Sequence, residues 1–176
     1  QHVPLMSTFW LSSKEGSEAW LDPIVDRAAG TWRFAVRTGP PQNREAVMAG
    51  TKSGSGGFRC LLSGAPISFD YVRTEGELQQ LACAMVAIVT ELPRGRTYLP
   101  SSAEQAEVAR SVSPIGFPDS DLPEEALGFR IQNYGIKKHW QMFTPRQLTA
   151  MVTLSELVKA VREDVRKDAA AAGLAD

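Results

Sequence analysis

A single long helix is the element that this sequence specifies most strongly. It starts at Thr144, whose hydroxyl can accept a hydrogen bond from a first-turn amide, with Gln147 at the spacing of a capping box. Pro145 occupies the first helical position, where its missing N–H costs nothing. An apolar stripe then steps by three and four residues through Met151, Leu154, Val158, Val161 and Val165. The pattern predicts a helix over about residues 144–172 whose apolar stripe packs in the core.

The first 100 residues predict strands more than helices. Residues 31–38 alternate between apolar and charged side chains, which is typical of a half-buried antiparallel strand. Residues 5–12 and 18–26 are two further strand candidates, and Pro23 places the second at an edge or a bulge. We therefore expect an α+β fold, with a small antiparallel sheet in residues 5–100 and the long C-terminal helix packed against it.

Turn and loop signals divide the rest of the chain. The Pro and Gly content of residues 39–57 predicts a loop, whereas residues 78–85 are a helix candidate. Residues 86–91 and 97–99 predict a pair of strands joined by a turn at residues 93–96. None of these segments repeats another.

We expect one α+β domain over residues 1–176, excised from a larger protein. It comprises a β-rich part at 5–66, a mixed α/β part at 67–100, an acidic connection at 101–128, and a basic loop with the long helix at 129–176. The abrupt beginning, without an initiator Met or a signal-peptide pattern, is the basis for expecting an excised segment.

Composition narrows the possible functions. The formal net charge of −1 means that any binding of nucleic acid must come from a local patch. No run of eighteen apolar residues is present, so we expect no membrane partner and a cytoplasmic location. Cys60 and Cys83 are not at metal-ligand spacing and fit free thiols, so no metal ligand is assigned. No motif marks a catalytic residue, although His139 leaves open a weakly supported hydrolase.

The segment around the helix start combines positive charge with aromatic rings. From Ala126 to Ser155 there is no Asp or Glu. Cations and aromatic rings suit a phosphate backbone and stacked bases. The candidate nucleic-acid-binding residues are Arg130, Lys137, Lys138, His139, Trp140 and Arg146, with Arg94 and Arg96 from a separate turn. The alternative is a solvated loop whose aromatic rings pack on the helix and whose cations pair with the acidic connection.

Four ordered blocks extend over nearly the whole chain. They are FWLSSKEGSEAW, FRCLLSGAPISFDYVRTEG, AIVTELPRGRTYL and YGIKKHWQMFTPRQLTAMVTLSELV. In this order they resemble the middle of a family of large prokaryotic proteins, the adenine-specific DNA methylases that contain a zinc-ribbon segment. The resemblance implies S-adenosylmethionine-dependent methylation of DNA by a parent protein, in restriction-modification or phage defence.

The chain also departs from that family. Similar proteins carry a methyl-donor motif before this region and a catalytic tetrapeptide with Pro-Pro after it, whereas Pro40-Pro41 here lies in the wrong context. The resemblance therefore implies that this segment itself has no catalytic residue and no cofactor. Relatives place paired cysteines before the first block and in the second. Here Cys60 is kept and Ser63 stands at its partner's position, which implies a degenerate zinc ribbon.

The resemblance implies an accessory role between the donor-binding and catalytic parts of the parent enzyme. The leading expectation is a DNA-contacting, target-recognition-like domain of an adenine-specific DNA methyltransferase, with DNA and the remainder of the parent chain as partners. The alternative is a structural or protein-interaction insert that braces the methyltransferase or docks a phage-defence partner.

Overall fold

Four helices and seven short strands form the described part of the molecule. The computed structural model describes residues 2–54, 56–123 and 131–174. In chain order the elements are β1 (Trp10–Ser12), β2 (Ala19–Asp26), β3 (Thr31–Thr38), α1 (Arg44–Ala49), β4 (Phe58–Arg59), β5 (Pro66–Ile67), α2 (Phe69–Glu77), β6 (Ile88–Leu92), β7 (Gly95–Leu99), α3 (Ala103–Ser111) and α4 (Pro145–Ala171). Two short 3₁₀ helices, Ile131–Tyr134 and His139–Met142, precede α4. The predicted α+β class is confirmed.

The largest sheet is antiparallel and has the strand order β1-β2-β3. β2 pairs with β3 along its whole length, from Ala19 opposite Thr38 to Asp26 opposite Thr31. β1 pairs only with the first two residues of β2, so at Pro23 the side of β2 that faces away from β3 has no pairing with β1. This edge position explains why a proline, which cannot donate to a ladder, is accommodated there. The predicted bounds of β3 are confirmed, whereas β1 is shorter than residues 5–12.

The core of this sheet is small and largely aliphatic and aromatic. Phe9, Leu21 and Val47 are buried together, and the Phe9 ring lies 5.5 Å from that of Phe34. Val47 comes from α1, a helix inside the region predicted as loop. Asn43 starts α1 by accepting a hydrogen bond from the Ala46 amide, so a single N-cap residue outweighs the Pro- and Gly-rich surroundings.

The predicted single sheet in residues 5–100 is instead three separate sheets. β4 pairs with β5 and β6 pairs with β7, each as a hairpin of its own. The β4–β5 pairing involves two residues on each strand, which is too short to extend a larger sheet. The helix predicted at residues 78–85 is also wrong. α2 ends before it, because Gln79 takes a φ of 57°, in the left-handed region.

The chain divides by its internal contacts into two compact units. Unit 1 comprises residues 1–106 and 127–136, and unit 2 comprises residues 107–126 and 137–176. Within unit 1, Gly76 of α2 lies against the Tyr134 carbonyl so closely that any Cβ at residue 76 would clash with it. Glycine is thus required where residues 131–136 return to pack on α2.

α4 confirms the predicted helix and its cap. The Gln147 amide donates to Thr144 Oγ1 at 3.4 Å, and the Thr144 amide donates to Gln147 Oε1 at 2.8 Å. The prediction that the apolar stripe is buried is wrong, because Leu148 alone among the described residues of α4 is buried. α4 is about 40 Å long at 1.5 Å per residue. The five residues of the stripe are between 42% and 69% exposed.

Removing the N-cap should weaken unit 2. We expect Thr144→Ala to lower the free energy of unfolding by about 1 kcal/mol, because the Gln147 amide loses its acceptor. Urea denaturation followed by circular dichroism measures the change. Thr153→Ala, at an exposed position inside α4, is the matched control and should be neutral or slightly stabilising. Equal midpoints for Thr144→Ala and the unmodified chain would contradict this role for the cap.

Candidate functional site

The basic loop is paired with the acidic connection through the backbone. The Leu122 amide donates to the Lys137 carbonyl at 2.7 Å, and the His139 amide donates to the Ser120 carbonyl at 3.1 Å. Between them Asp121 and Lys138 form an antiparallel bridge. This short ladder lies within unit 2 and holds residues 137–140 next to residues 119–122.

Asp119 joins the two principal candidates in this loop. Its Oδ1 accepts a hydrogen bond from Lys138 Nζ at 2.8 Å and another from Trp140 Nε1 at 3.0 Å. The Trp140 ring also packs against Phe117, with centroids 5.8 Å apart and planes inclined by 51°. The alternative interpretation of the loop is therefore confirmed for Lys138, a cation paired with the acidic connection, whereas the Trp140 ring, expected to pack on the helix, lies against Phe117 of that connection.

The charges of Asp119 and Lys138 stabilise each other. The hydrogen bond from Lys138 lowers the pKa of Asp119 below its usual 3.8, and the bond to Trp140 acts in the same direction. In return the hydrogen bond to Asp119 raises the pKa of Lys138 above its usual 10.5. Both groups are thus charged at neutral pH, and the positive charge of Lys138 is offset within unit 2.

His139 contacts both the side chain and the backbone of Ser120. Its Nδ1 lies 3.1 Å from Ser120 Oγ and 3.1 Å from the Ser120 carbonyl oxygen. A carbonyl can only accept, so this geometry favours the tautomer with the proton on Nδ1. A ring nitrogen that donates to a carbonyl cannot also take the proton of the serine hydroxyl. The arrangement gives no support to a hydrolase built on His139.

The remaining predicted cations are distributed over both units. Lys137 and Arg146 are exposed in unit 2, and Arg146 lies in the first turn of α4. Arg94 and Arg96 lie in unit 1, at the β6–β7 hairpin, where Arg96 is 3.5 Å from Glu91. Arg130 lies outside the described residues. Unit 2 therefore gathers five of the eight candidates, and the hairpin arginines belong to a different unit.

α4 exposes an apolar face to solvent. The apolar face of α4, defined as the predicted stripe, has exposed fractions from 42% at Met151 to 69% at Val158. Near the start of the helix this face borders a groove of about 350 Å³. Its walls include Phe117, Trp140, Phe143, Met151 and Val152. The residue spacing in the sequence identifies this face, but its predicted place in the core is wrong.

Cys60 lies in the turn between β4 and β5. The Ser63 amide points at its sulfur, 3.5 Å away, and hydrogen bonding from Ser63 lowers the pKa of the thiol below its usual 9.0. Among the described residues, no group of three or more His, Cys, Asp or Glu side chains is placed to hold a metal ion. The degenerate zinc ribbon that the resemblance implies stays a prediction.

No family model, curated protein or solved structure matches the chain. In the part of the chain that the structure describes, no helix has the length and apolar character needed to cross a bilayer. Functional inference consequently depends on the geometry of unit 2 and on the ordered sequence blocks.

The contact between Asp119 and Trp140 should titrate. Because the pKa of Asp119 is lowered by folding, the contact contributes stability above the usual pKa and loses it as the pH falls through the lowered value. We expect the Trp140 indole N–H resonance to shift with a midpoint below 3.8. Asp119→Asn should abolish the shift, and Asp121→Asn should keep it. An unchanged titration in Asp119→Asn would show that another group controls Trp140.

Proposed function

We propose that this chain is an accessory module of a cytoplasmic, S-adenosylmethionine-dependent adenine-specific DNA methyltransferase, and that it acts by docking protein. The four ordered sequence blocks support the parent activity. The exposed apolar face of α4 is the single observation that carries the docking role. In this proposal the donor and the catalytic residues belong to other parts of the enzyme, and the module braces or assembles them.

The free energy available on the apolar face supports docking. Leu154, Val158 and Val161 are each at least 60% exposed. Full burial of a Val or Leu side chain contributes about 1.5–3 kcal/mol relative to exposure. Soluble proteins rarely expose large apolar patches, and those that do occur mark sites of interaction with proteins, membranes or ligands. An amphipathic helix that presents such a row is suited to another helix or to a hydrophobic groove.

The electrostatics of the basic loop support the same choice. The positive charge of Lys138 is offset by Asp119 at 2.8 Å, and the same carboxylate holds the Trp140 indole N–H. A phosphate would have to displace that carboxylate to take both groups. Stacking on Trp140 would in addition compete with its packing against Phe117. These contacts give the loop a structural role in positioning the start of α4.

A DNA-contacting role is the second candidate. The observation in its favour is that Lys137 and Arg146 both expose their side chains within a segment that has no acidic residue from 131 to 155. Two such cations could make two phosphate contacts, which position a protein on DNA without reading its sequence. Binding of this kind is weak and depends strongly on salt.

Binding of DNA separates the two candidates. If docking of protein is the role of unit 2, a labelled duplex and a matching single strand should show no anisotropy change with the chain at low salt. Two phosphate contacts would instead give binding with a log–log salt slope of about −1.8, from about −0.9 per contact. Lys137→Ala with Arg146→Ala would abolish such binding, while Arg94→Ala with Arg96→Ala serves as the control in unit 1.

Methylation tests the parent activity and the docking role together. In the full-length polypeptide, Leu154→Asp with Val158→Asp should lower adenine methylation of cellular DNA at least about tenfold, since each 1.4 kcal/mol of lost docking is a factor of ten. Methylation-sensitive restriction digestion measures it. Thr153→Asp with Ala160→Asp adds the same charge to other exposed positions of α4 and should leave methylation intact.

The outcomes of that experiment are distinct. A full-length polypeptide without any adenine methylation would contradict the proposed parent activity. If methylation survives Leu154→Asp with Val158→Asp and is lost only with Lys137→Ala and Arg146→Ala, the DNA-contacting role replaces the docking role.

A further inference from the structure

A cavity of about 490 Å³ lies in unit 1 beside β2. Its lining includes Phe9, Leu21 and Val47, the three residues of the buried core cluster. These side chains carry no hydrogen-bonding group, so the innermost part of the cavity is apolar. The volume is in the range of sites that hold small molecules. The cavity is therefore suited to a ligand that buries an apolar group.

The loop before α1 forms another wall of this cavity. Pro40, Pro41 and Gln42 belong to that wall, and Trp20 lies across from the loop on β2. Trp20 Nε1 donates a hydrogen bond to the Gly39 carbonyl at 3.2 Å, which ties the loop to the strand. The two walls are thus held at a fixed separation before any ligand binds.

Pro23 limits the kind of ligand that can enter. The Leu21 amide donates to the Phe9 carbonyl at 2.8 Å, on the side of β2 that faces away from β3. Pro23 lies two residues further along β2 and lines the cavity, but it has no N–H to donate on that side. A peptide that binds by adding a strand to this edge is therefore disfavoured. Polar contacts to a ligand must come from side chains.

An ion pair lies at the opening of the cavity. Arg37 Nε is 3.0 Å from Asp22 Oδ2, and the two side chains are 54% and 33% exposed. Both residues line the cavity. Their contact uses one nitrogen of Arg37 and one oxygen of Asp22. The two terminal amino groups of Arg37 can still donate to a ligand, and the second oxygen of Asp22 can still accept from it.

This ion pair selects against a ligand that carries a single charge. A phosphate attracted by Arg37 would be repelled by Asp22, and an amine attracted by Asp22 would be repelled by Arg37. A ligand with adjacent opposite charges satisfies both side chains. In a free α-amino acid the ammonium and the carboxylate are attached to the same carbon, so they can reach two side chains that are themselves in contact. A carboxylate also matches the planar guanidinium of Arg37.

We propose that this cavity binds a free α-amino acid with a large apolar side chain. Its carboxylate binds Arg37, its ammonium group binds Asp22, and its side chain packs in the apolar part of the cavity against Leu21 and Trp20. The inference goes beyond the proposed docking role and does not depend on it, because the cavity lies in unit 1 whereas α4 lies in unit 2.

Titration of the isotope-labelled chain with L-phenylalanine, followed by NMR, tests the site. We expect a dissociation constant of about 1 mM, which is ordinary for a ligand of this size at a partly open site. The Trp20 indole N–H resonance should shift, since that group lies in the wall of the cavity, whereas the Trp140 indole in unit 2 should not respond. An unchanged Trp20 resonance in excess L-phenylalanine would overturn the site.

Two altered ligands separate the two charges. Phenylalanine amide lacks the carboxylate and N-acetylphenylalanine lacks the ammonium group. Each should bind at least about tenfold more weakly than L-phenylalanine, because each loses hydrogen bonds to a charged side chain. Equal binding of all three ligands would show that the cavity takes the ring alone and would overturn recognition of the paired charges.

Substitutions assign each charge to its residue. Arg37→Gln should weaken binding of L-phenylalanine at least about tenfold without weakening that of phenylalanine amide. Asp22→Asn should likewise weaken binding of L-phenylalanine without weakening that of N-acetylphenylalanine. Arg33→Gln, at an exposed position of the same strand that does not line the cavity, is the matched control and should bind like the unmodified chain.

Stability of the variants is checked by thermal denaturation. An exposed ion pair contributes little to folding, so Arg37→Gln and Asp22→Asn should both unfold within a few degrees of the unmodified chain. Folded variants that bind L-phenylalanine as tightly as the unmodified chain would contradict the assigned contacts. L-alanine, which has the same two charges and almost no side chain, should bind more weakly than L-phenylalanine. Equal binding of the two would contradict the role of the apolar part of the cavity.

Discussion

The carboxylate of Asp119 is the interaction on which the organisation of unit 2 depends. It accepts hydrogen bonds from Lys138 and Trp140, which come from the segment that leads into α4. With the backbone ladder beside it, this contact ties residues 137–140 to residues 119–122, a few residues before α4 begins. A helix of 27 residues with one buried side chain has few other contacts to orient it. The hydrogen bonds of Asp119 near the first turn of α4 therefore support a helix whose apolar face is exposed.

Unit 2 thus separates two tasks along one segment. Polar contacts are concentrated before the helix, where Asp119 and Ser120 satisfy Lys138, Trp140 and His139. Apolar surface is concentrated after the first turns, where side chains remain in solvent. Such a division suits a helix that offers a row of apolar side chains to a partner protein. It does not suit an open basic cleft, because the central cation of the loop already has a close counter-charge.

The parts of this fold that depend on short-range contacts are those that sequence reasoning predicts. The cap of α4 involves residues within one turn, and the alternation of apolar and charged residues in β3 depends only on the two faces of that strand. Both elements could therefore be predicted with their bounds. The partner of Lys138 depends on pairing between residues about twenty positions apart, which left two interpretations of the loop open. Periodicity shows that one face of α4 is apolar but not what covers it, hence the wrong assignment to the core. The resemblance to methylases stays a prediction.

The close approach of Gly76 to the Tyr134 carbonyl has a consequence for how such a chain can be recombined. Residues 131–136 belong to unit 1, although residues 107–126 of unit 2 precede them. The two units are therefore interleaved along the gene, and no single crossover point exchanges one without cutting the other. Inheritance of either unit alone would require three coordinated breakpoints, so we expect the pair to be transmitted as one block.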